Sequence, residues 1–147
     1  MIDRSAINPI LVVEDSPEDY EVLTRAFRKA EILLPLVRCK DGQDCMDYLH
    51  GSGVYAGDSD CIRPSFVMMD LNLPGVDGTR MIELIKNDPA LVTIPLIVFT
   101  TSRSERDVQE AYRAGANSFL PKPVDMDGYV KVAQMLKTYW FEFAILP

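Results

Sequence analysis

Short apolar runs alternate five times with amphipathic helical patterns along this chain, and that alternation limits the possible folds more than any other feature. PILVV (Pro9–Val13), SFVMM and IPLIVFT are apolar throughout, without the two-residue alternation of a half-exposed sheet. Strands of that kind are buried on both faces, as in a parallel sheet covered by crossover helices. PLVRC is weaker and reads as an edge strand, and NSFL is a short last strand. SPEDYEVLTRAFRKAEIL predicts a helix with Ser16 as cap, Pro17 at its first position and Asp19 at capping-box spacing. GQDCMDYLH, GTRMIELIKND and ERDVQEAYRA, the last stopped by Gly115, predict three more helices. MDGYVKVAQMLKTYWFEF predicts one long final helix. The expectation is one α/β domain with a five-stranded, doubly wound parallel sheet, a core over about 8–138 and an apolar tail over 139–147.

The chain has 147 residues, 48% of them hydrophobic, which suits a single core. No apolar run approaches the ~20 residues of a membrane span, so no membrane contact is expected. The first nine residues lack the basic and apolar segments of a signal peptide, which predicts a cytoplasmic protein. Cys39, Cys45 and Cys61 are odd in number and form no C-x-x-C, so they read as reduced thiols. A formal net charge of −7 argues against direct nucleic-acid binding. His50 is the only histidine, which excludes a histidine metal cluster; it reads as an exposed helix-end residue. GSGVYAGDSDCIRP (51–64) is the one long irregular stretch, and it reads as a solvated surface loop.

Ligands of an open parallel sheet bind beyond the carboxyl ends of its strands. Here those ends deliver Glu14 and Asp15 from the first strand, Asp70 from the third and Thr100 and Thr101 from the fourth, while the fifth leads to Lys122. One acid at a strand end is commonly only a helix cap. Acids, a hydroxyl and an ammonium on four strand ends make a site. Clustered carboxylates repel unless a cation sits among them. Mg2+, bound through one or two carboxylates and a phosphate, matches that need. A carboxylate can attack phosphorus to give an aspartyl phosphate, with the metal and the lysine stabilising the transferring charge and Thr100 reaching a phosphoryl oxygen.

VVEDSPED, MMDLNLPGVDG, VFTTS and AGANSFLPKP resemble the receiver domain of two-component response regulators over about Ile10 to Leu136. The resemblance implies a flavodoxin-like sheet of strand order 2-1-3-4-5 and a phosphoacceptor that is not an enzyme beyond its own phosphorylation and slow dephosphorylation. It makes Asp70 the acceptor of a phosphoryl group from a sensor histidine kinase. It assigns Mg2+ to Asp15 and Asp70 directly, to the backbone carbonyl of Asn72, and to Glu14 through water. Lys122 and Thr100 would bind phosphate, Thr100 and Phe119 would switch the face made by the fourth helix, fifth strand and fifth helix, and Lys122–Pro123 would be cis. Glu14 stands where aspartate is more usual, and Phe119 lacks the hydroxyl of the more usual tyrosine. RPSFVMMDLNLPGVDG, IKNDPALVTIPLIVFTTS and the tail YWFEFAILP resemble the single-domain regulators paired with cyanobacterial and bacterial phytochromes. That resemblance implies a phytochrome-type kinase.

Three other readings are weaker. A haloacid-dehalogenase-type hydrolase needs an aspartate two residues after its nucleophile, and Asn72 is there. A flavodoxin needs a hydroxyl- and glycine-rich phosphate loop, but EDSPED would repel a flavin phosphate. A relay intermediate or docking module without phosphorylation-dependent output remains an alternative. With no output domain expected after the final helix, the receiver itself would be output surface or relay. Tyr129, Val132, Leu136 and Phe143 account for one core-facing stripe of that helix. Tyr139, Trp140, Phe141, Ile145 and Leu146 are left over, and they predict a homodimer interface, the alternative being a tail that folds back across its own domain.

Overall fold

A computed structural model of the protein describes residues 8–59 and 61–147. Five strands, β1 (Ile10–Val13), β2 (Leu36–Cys39), β3 (Phe66–Met69), β4 (Leu96–Thr100) and β5 (Ser118–Pro121), form one parallel sheet of order β2-β1-β3-β4-β5. Five helices connect or follow them: α1 (Pro17–Lys29), α2 (Gly42–His50), α3 (Gly78–Lys86), α4 (Glu105–Ala114) and α5 (Met126–Leu136). The parallel pairing is that expected from the apolar runs, and the strand order is that implied by the resemblance. None of the helices is long and apolar enough to cross a membrane among the described residues.

The pleat explains why the central strands are apolar at every position. Leu11, Val13, Val67 and Met69 point into one core shared with Cys45, Tyr48, Ile82, Ile85 and Ala111, beneath α2, α3 and α4. Their neighbours Ile10, Val12, Phe66 and Met68 point into a second core with Leu23, Phe27, Tyr129, Ala133 and Leu136, beneath α1 and α5. Alternate side chains of one strand serve opposite faces, so both sets must be apolar. The edge strand β2 is only partly buried, as its weaker pattern suggests.

Three local expectations change. The first helix ends at Lys29, four residues before Leu33, because Glu31 turns left-handed at φ 59. The Ile32 N–H then donates to Phe27 O and the Glu31 N–H to Arg28 O, closing a Schellman stop with glutamate where glycine is usual. A left-handed non-glycine residue costs about 1–2 kcal/mol. Glu31→Gly is therefore expected to stabilise the fold by about 1 kcal/mol in urea denaturation, part of the relief being lost to the freer unfolded chain.

The final helix also changes. Beyond Leu136 it widens into a π-helical segment, Lys137–Phe143, which ends where the Ala144 N–H donates to Tyr139 O. The wider turn moves Phe143 off the predicted core stripe, leaving it 78% exposed. It brings the successive residues Trp140 and Phe141 onto one partner, with their rings 5.9 and 5.8 Å from that of Phe66. Two of the five tail residues assigned to a dimer interface thus pack on their own domain. Tyr139 and Ile145 remain exposed, and Leu146 is half-buried. A fully buried aromatic contributes about 1.5–3 kcal/mol. Ending the chain at Thr138 should then cost about 2–3 kcal/mol in chemical denaturation, since both rings are half-buried and their loss uncovers Phe66.

The long loop holds a 3-10 turn, Gly53–Tyr55, and is pinned by Tyr48 Oη donating to Ile62 O (2.7 Å) and Tyr55 Oη to Asp44 (2.8 Å). His50 lies at the exposed end of α2 and meets Asp88 at 2.8 Å. All three cysteines are free thiols; burial pushes the Cys45 thiol up to about 12.

Candidate functional site

The sheet register assembles the site. Val13 pairs with Met69, so the next residues of the two strands, Glu14 and Asp70, leave the sheet side by side, with the Asp70 N–H donating to Val13 O at 3.1 Å. Thr100 pairs with Pro121, and the Lys122 N–H donates to Thr100 O at 2.7 Å. Glu14, Asp70, Thr100 and Lys122 are the buried polar or charged residues among those described, and all four meet at this one edge. Behind them α3 starts close: a β-carbon on Gly78 would lie 2.6 Å from Leu71 Cα, so only glycine lets the helix approach the turn after β3.

Both oxygens of Asp70 are engaged. Oδ1 accepts from the Thr100 hydroxyl (2.8 Å) and the Asn72 N–H (3.0 Å), and Oδ2 accepts from the Lys122 ammonium (2.7 Å). Lys122 also donates to Glu14 Oε1 (2.5 Å) and Asp19 Oδ2 (2.7 Å). Burial works against the charge on Lys122, but its hydrogen bonds to Asp19, Asp70 and Glu14 outweigh that and hold its pKa above the ordinary lysine value. Burial likewise pushes the Glu14 carboxyl above its ordinary value, against the pull of Lys122 and with added repulsion from Asp70. Three carboxylates share one ammonium, so negative charge is in excess.

Asp15 is exposed, and its carboxylate takes no hydrogen bond among the described residues. Its position is fixed through the backbone. Arg38, on β2, donates from Nε to Glu14 O (3.0 Å) and from Nη2 to Asp15 O (2.9 Å), with its guanidinium 5.8 Å from the Tyr20 ring centre. Among the described residues no group of three or more carboxylates, thiols or imidazoles is arranged to hold a metal ion alone, since Lys122 lies at the centre of the acids. Mg2+ needs fewer protein ligands than that, because it keeps several waters. Asp15, Asp70 and the carbonyl of Asn72, beside an excess of negative charge, fit such an ion.

Of the residues expected at the site, Glu14, Asp70, Thr100 and Lys122 meet directly, and Asn72 joins through its N–H. Phe119 lies apart, opposite Val98 and half-buried against the core beneath α2, α3 and α4. The tail is at the other end of the sheet, against the first residue of β3. Lys122–Pro123 is trans, as is every peptide bond among the described residues, in place of the cis bond the resemblance implies. Trans is the lower-energy isomer of an X–Pro bond, and the trans chain already aims Lys122 at the acids.

Two contributors go unread in the sequence. Asp19 stands at capping-box spacing, but the Ser16 N–H donates to Glu14 instead (3.2 Å), and the Asp19 carboxylate turns to Lys122. Its place one helical turn after Asp15 was the available signal. Arg38 carries none, being a charged residue on an edge strand.

Comparison with known proteins agrees with this fold. The model of the response regulator receiver domain matches residues 10–134. The response regulator Rcp1 of Synechocystis sp. is 34% identical over 138 residues, which cover 94% of this chain and 92% of Rcp1. The crystal structure of RPA3017, a response regulator in red light signalling of R. palustris, superposes with a TM-score of 0.90 at 34% identity, covering 95% of this chain and 98% of that one. That of the phosphorylated cyanobacterial phytochrome response regulator RcpA gives 0.86 at 32% identity, covering 97% and 99%. With the family's model matching most of its length and Rcp1 34% identical across nearly all of it, the chain belongs to the response regulator receiver domains of two-component systems.

Proposed function

We propose that Asp70 accepts a phosphoryl group from the phosphohistidine of a sensor kinase and that this event switches the protein. The observation that carries the reading is the set of donors around Asp70: an ammonium, a hydroxyl and a backbone N–H converge on one buried carboxylate. Those groups are what the oxygens of a transferring phosphoryl group require. An oxygen of Asp70 attacks phosphorus, the new P–O bond forms as the N–P bond breaks, and the leaving imidazole keeps its electron pair and takes up a proton. Mg2+ held by Asp15, Asp70 and the Asn72 carbonyl, with Glu14 through water, would neutralise phosphoryl charge when bound. Thr100, which now donates to Asp70, then turns its hydroxyl to a phosphoryl oxygen. Phe119 moves into the space released, remodelling the surface of α4, β5 and α5.

Likeness to RcpA, a phytochrome response regulator, supports a phytochrome-type kinase as donor. Tyr139, Phe143 and Ile145, exposed beside the docked Trp140 and Phe141, support a homodimer through the tail. Incubating the protein with acetyl phosphate and MgCl2 tests the central claim. One phosphoryl group, labile to hydroxylamine and mapped by mass spectrometry to Asp70, is expected, and none when EDTA replaces the metal. Phosphate on another residue, or uptake indifferent to EDTA, would overturn it.

A further inference from the structure

The ammonium of Lys122 has three protons, and each is directed at a different carboxylate: Glu14 at 2.5 Å, Asp19 at 2.7 Å and Asp70 at 2.7 Å. The partners differ in depth. The side chains of Glu14 and Asp70 are 7% and 6% exposed, whereas that of Asp19 is 40% exposed. A phosphoryl group on Asp70 would bring new acceptor oxygens to an ammonium whose protons are all engaged. The proton now given to Asp70 can pass to one phosphoryl oxygen, but a second phosphoryl oxygen is met only if Glu14 or Asp19 lets go. Releasing Glu14 would strand a buried carboxylate, but Asp19 can turn to water at little cost.

Asp19 also has no competing duty in its helix. Its backbone N–H donates to Ser16 Oγ at 3.2 Å, but its carboxylate is not part of a capping box, because the Ser16 N–H is taken by Glu14. The side chain crosses from the first turn of α1 to the residue after β5, and among the described residues its carboxylate accepts no other hydrogen bond.

We propose that Asp19 is a positioning residue that holds, on Lys122, the place a phosphoryl oxygen takes once Asp70 is modified. The carboxylate keeps the ammonium aimed at Asp70 in the unmodified protein, and it competes with the incoming group. Exchange of the two frees Asp19 and unties the first turn of α1 from β5, so that α1 registers the modification as well as the surface of α4, β5 and α5. This inference rests on the reading of Asp70 as phosphoacceptor.

Titration of the full chain with beryllofluoride in the presence of Mg2+ tests it, with the amide resonances of Asp70 and Thr100 as the readout. Beryllofluoride bonds a carboxylate oxygen as a phosphoryl group does. Asp19→Asn removes the competing carboxylate at constant size and should lower the half-saturating concentration about tenfold, since the competitor is one charge-assisted hydrogen bond. Asp19→Glu, which restores a carboxylate within reach, should bring it back toward the original value. Glu18→Gln removes the same charge from the same helical turn; Glu18 meets Ser16 and not Lys122, so this variant should bind as the unaltered protein does. If the unaltered protein fails to bind, the reading of Asp70 falls. Binding by the unaltered protein with no gain in Asp19→Asn, or an equal gain in Glu18→Gln, overturns the role of Asp19 alone. So does a loss of affinity that accompanies a loss of thermal stability, the mark of a purely structural residue.

Discussion

Asp70→Asn is expected to abolish phosphoryl uptake while leaving the fold intact. The substitution keeps the shape of the side chain, and its carbonyl oxygen can still accept from Thr100 and the Asn72 N–H. It removes the nucleophile, because an amide oxygen does not form a stable acyl phosphate. The new NH2 faces Lys122 as a donor against a donor, but the ammonium retains Glu14 and Asp19 as partners. The repulsion that Asp70 exerts on Glu14 also disappears, which offsets part of that loss. A stability change within about 1 kcal/mol follows, or several degrees in melting temperature. Radiolabelled acetyl phosphate should leave the variant at background, with an unchanged near-ultraviolet circular dichroism spectrum. Labelling at the original rate would remove Asp70 from the role assigned to it.

Lys122→Met should be the most destabilising single change at this edge. It leaves Glu14 and Asp70 buried and adjacent with no cation between them. Removing one partner of a buried ion pair costs about 3–5 kcal/mol, and the lower end applies because the partly exposed Asp19 is freed to solvent. The cost should depend on pH in a fixed sense. Burial already raises the folded-state pKa of Glu14 above its ordinary value of 4.5, and loss of Lys122 raises it further. Between the unfolded and folded values the native state binds more protons than the unfolded one, so stability falls as pH rises through that window. Urea denaturation at pH 5 should therefore show a smaller deficit than at pH 8. A deficit that grows toward acid would mean that the carboxylates are not the source of the cost.

The strand-end groups were legible because a parallel sheet of buried strands leaves little freedom. Once the runs ending at Val13 and Met69 are placed side by side in one sheet, the next residues, Glu14 and Asp70, must emerge together. Thr100, two residues past the partner of Met69, ends at the same edge. Asp19 was misread because local spacing offered a capping partner, and only the tertiary arrangement shows Lys122 outcompeting it. Arg38 could not be found by pattern, since its partners are two backbone carbonyls that carry no sequence signal. Glu31 ends a helix in a conformation that its side chain disfavours, so the apolar periodicity ran past the true stop. The tail failed in a similar way. A 3.6-residue period cannot represent a π-helical segment, so the faces assigned to Trp140, Phe141 and Phe143 came out rotated.

The docking of the tail gives the protein an optical property of its own. Trp140 is the only tryptophan of the chain, and its indole stacks on Phe66 at the start of β3. Asp70 follows the other end of that strand, about 13 Å away at the usual rise per residue. Intrinsic fluorescence excited at the indole band therefore reports one event, the seating of the last aromatic turn, and is a poor witness to chemistry among the acids. An emission change on phosphorylation would have to travel the length of the central strand. In denaturant, emission and far-ultraviolet ellipticity would separate if the tail lifted before the sheet came apart.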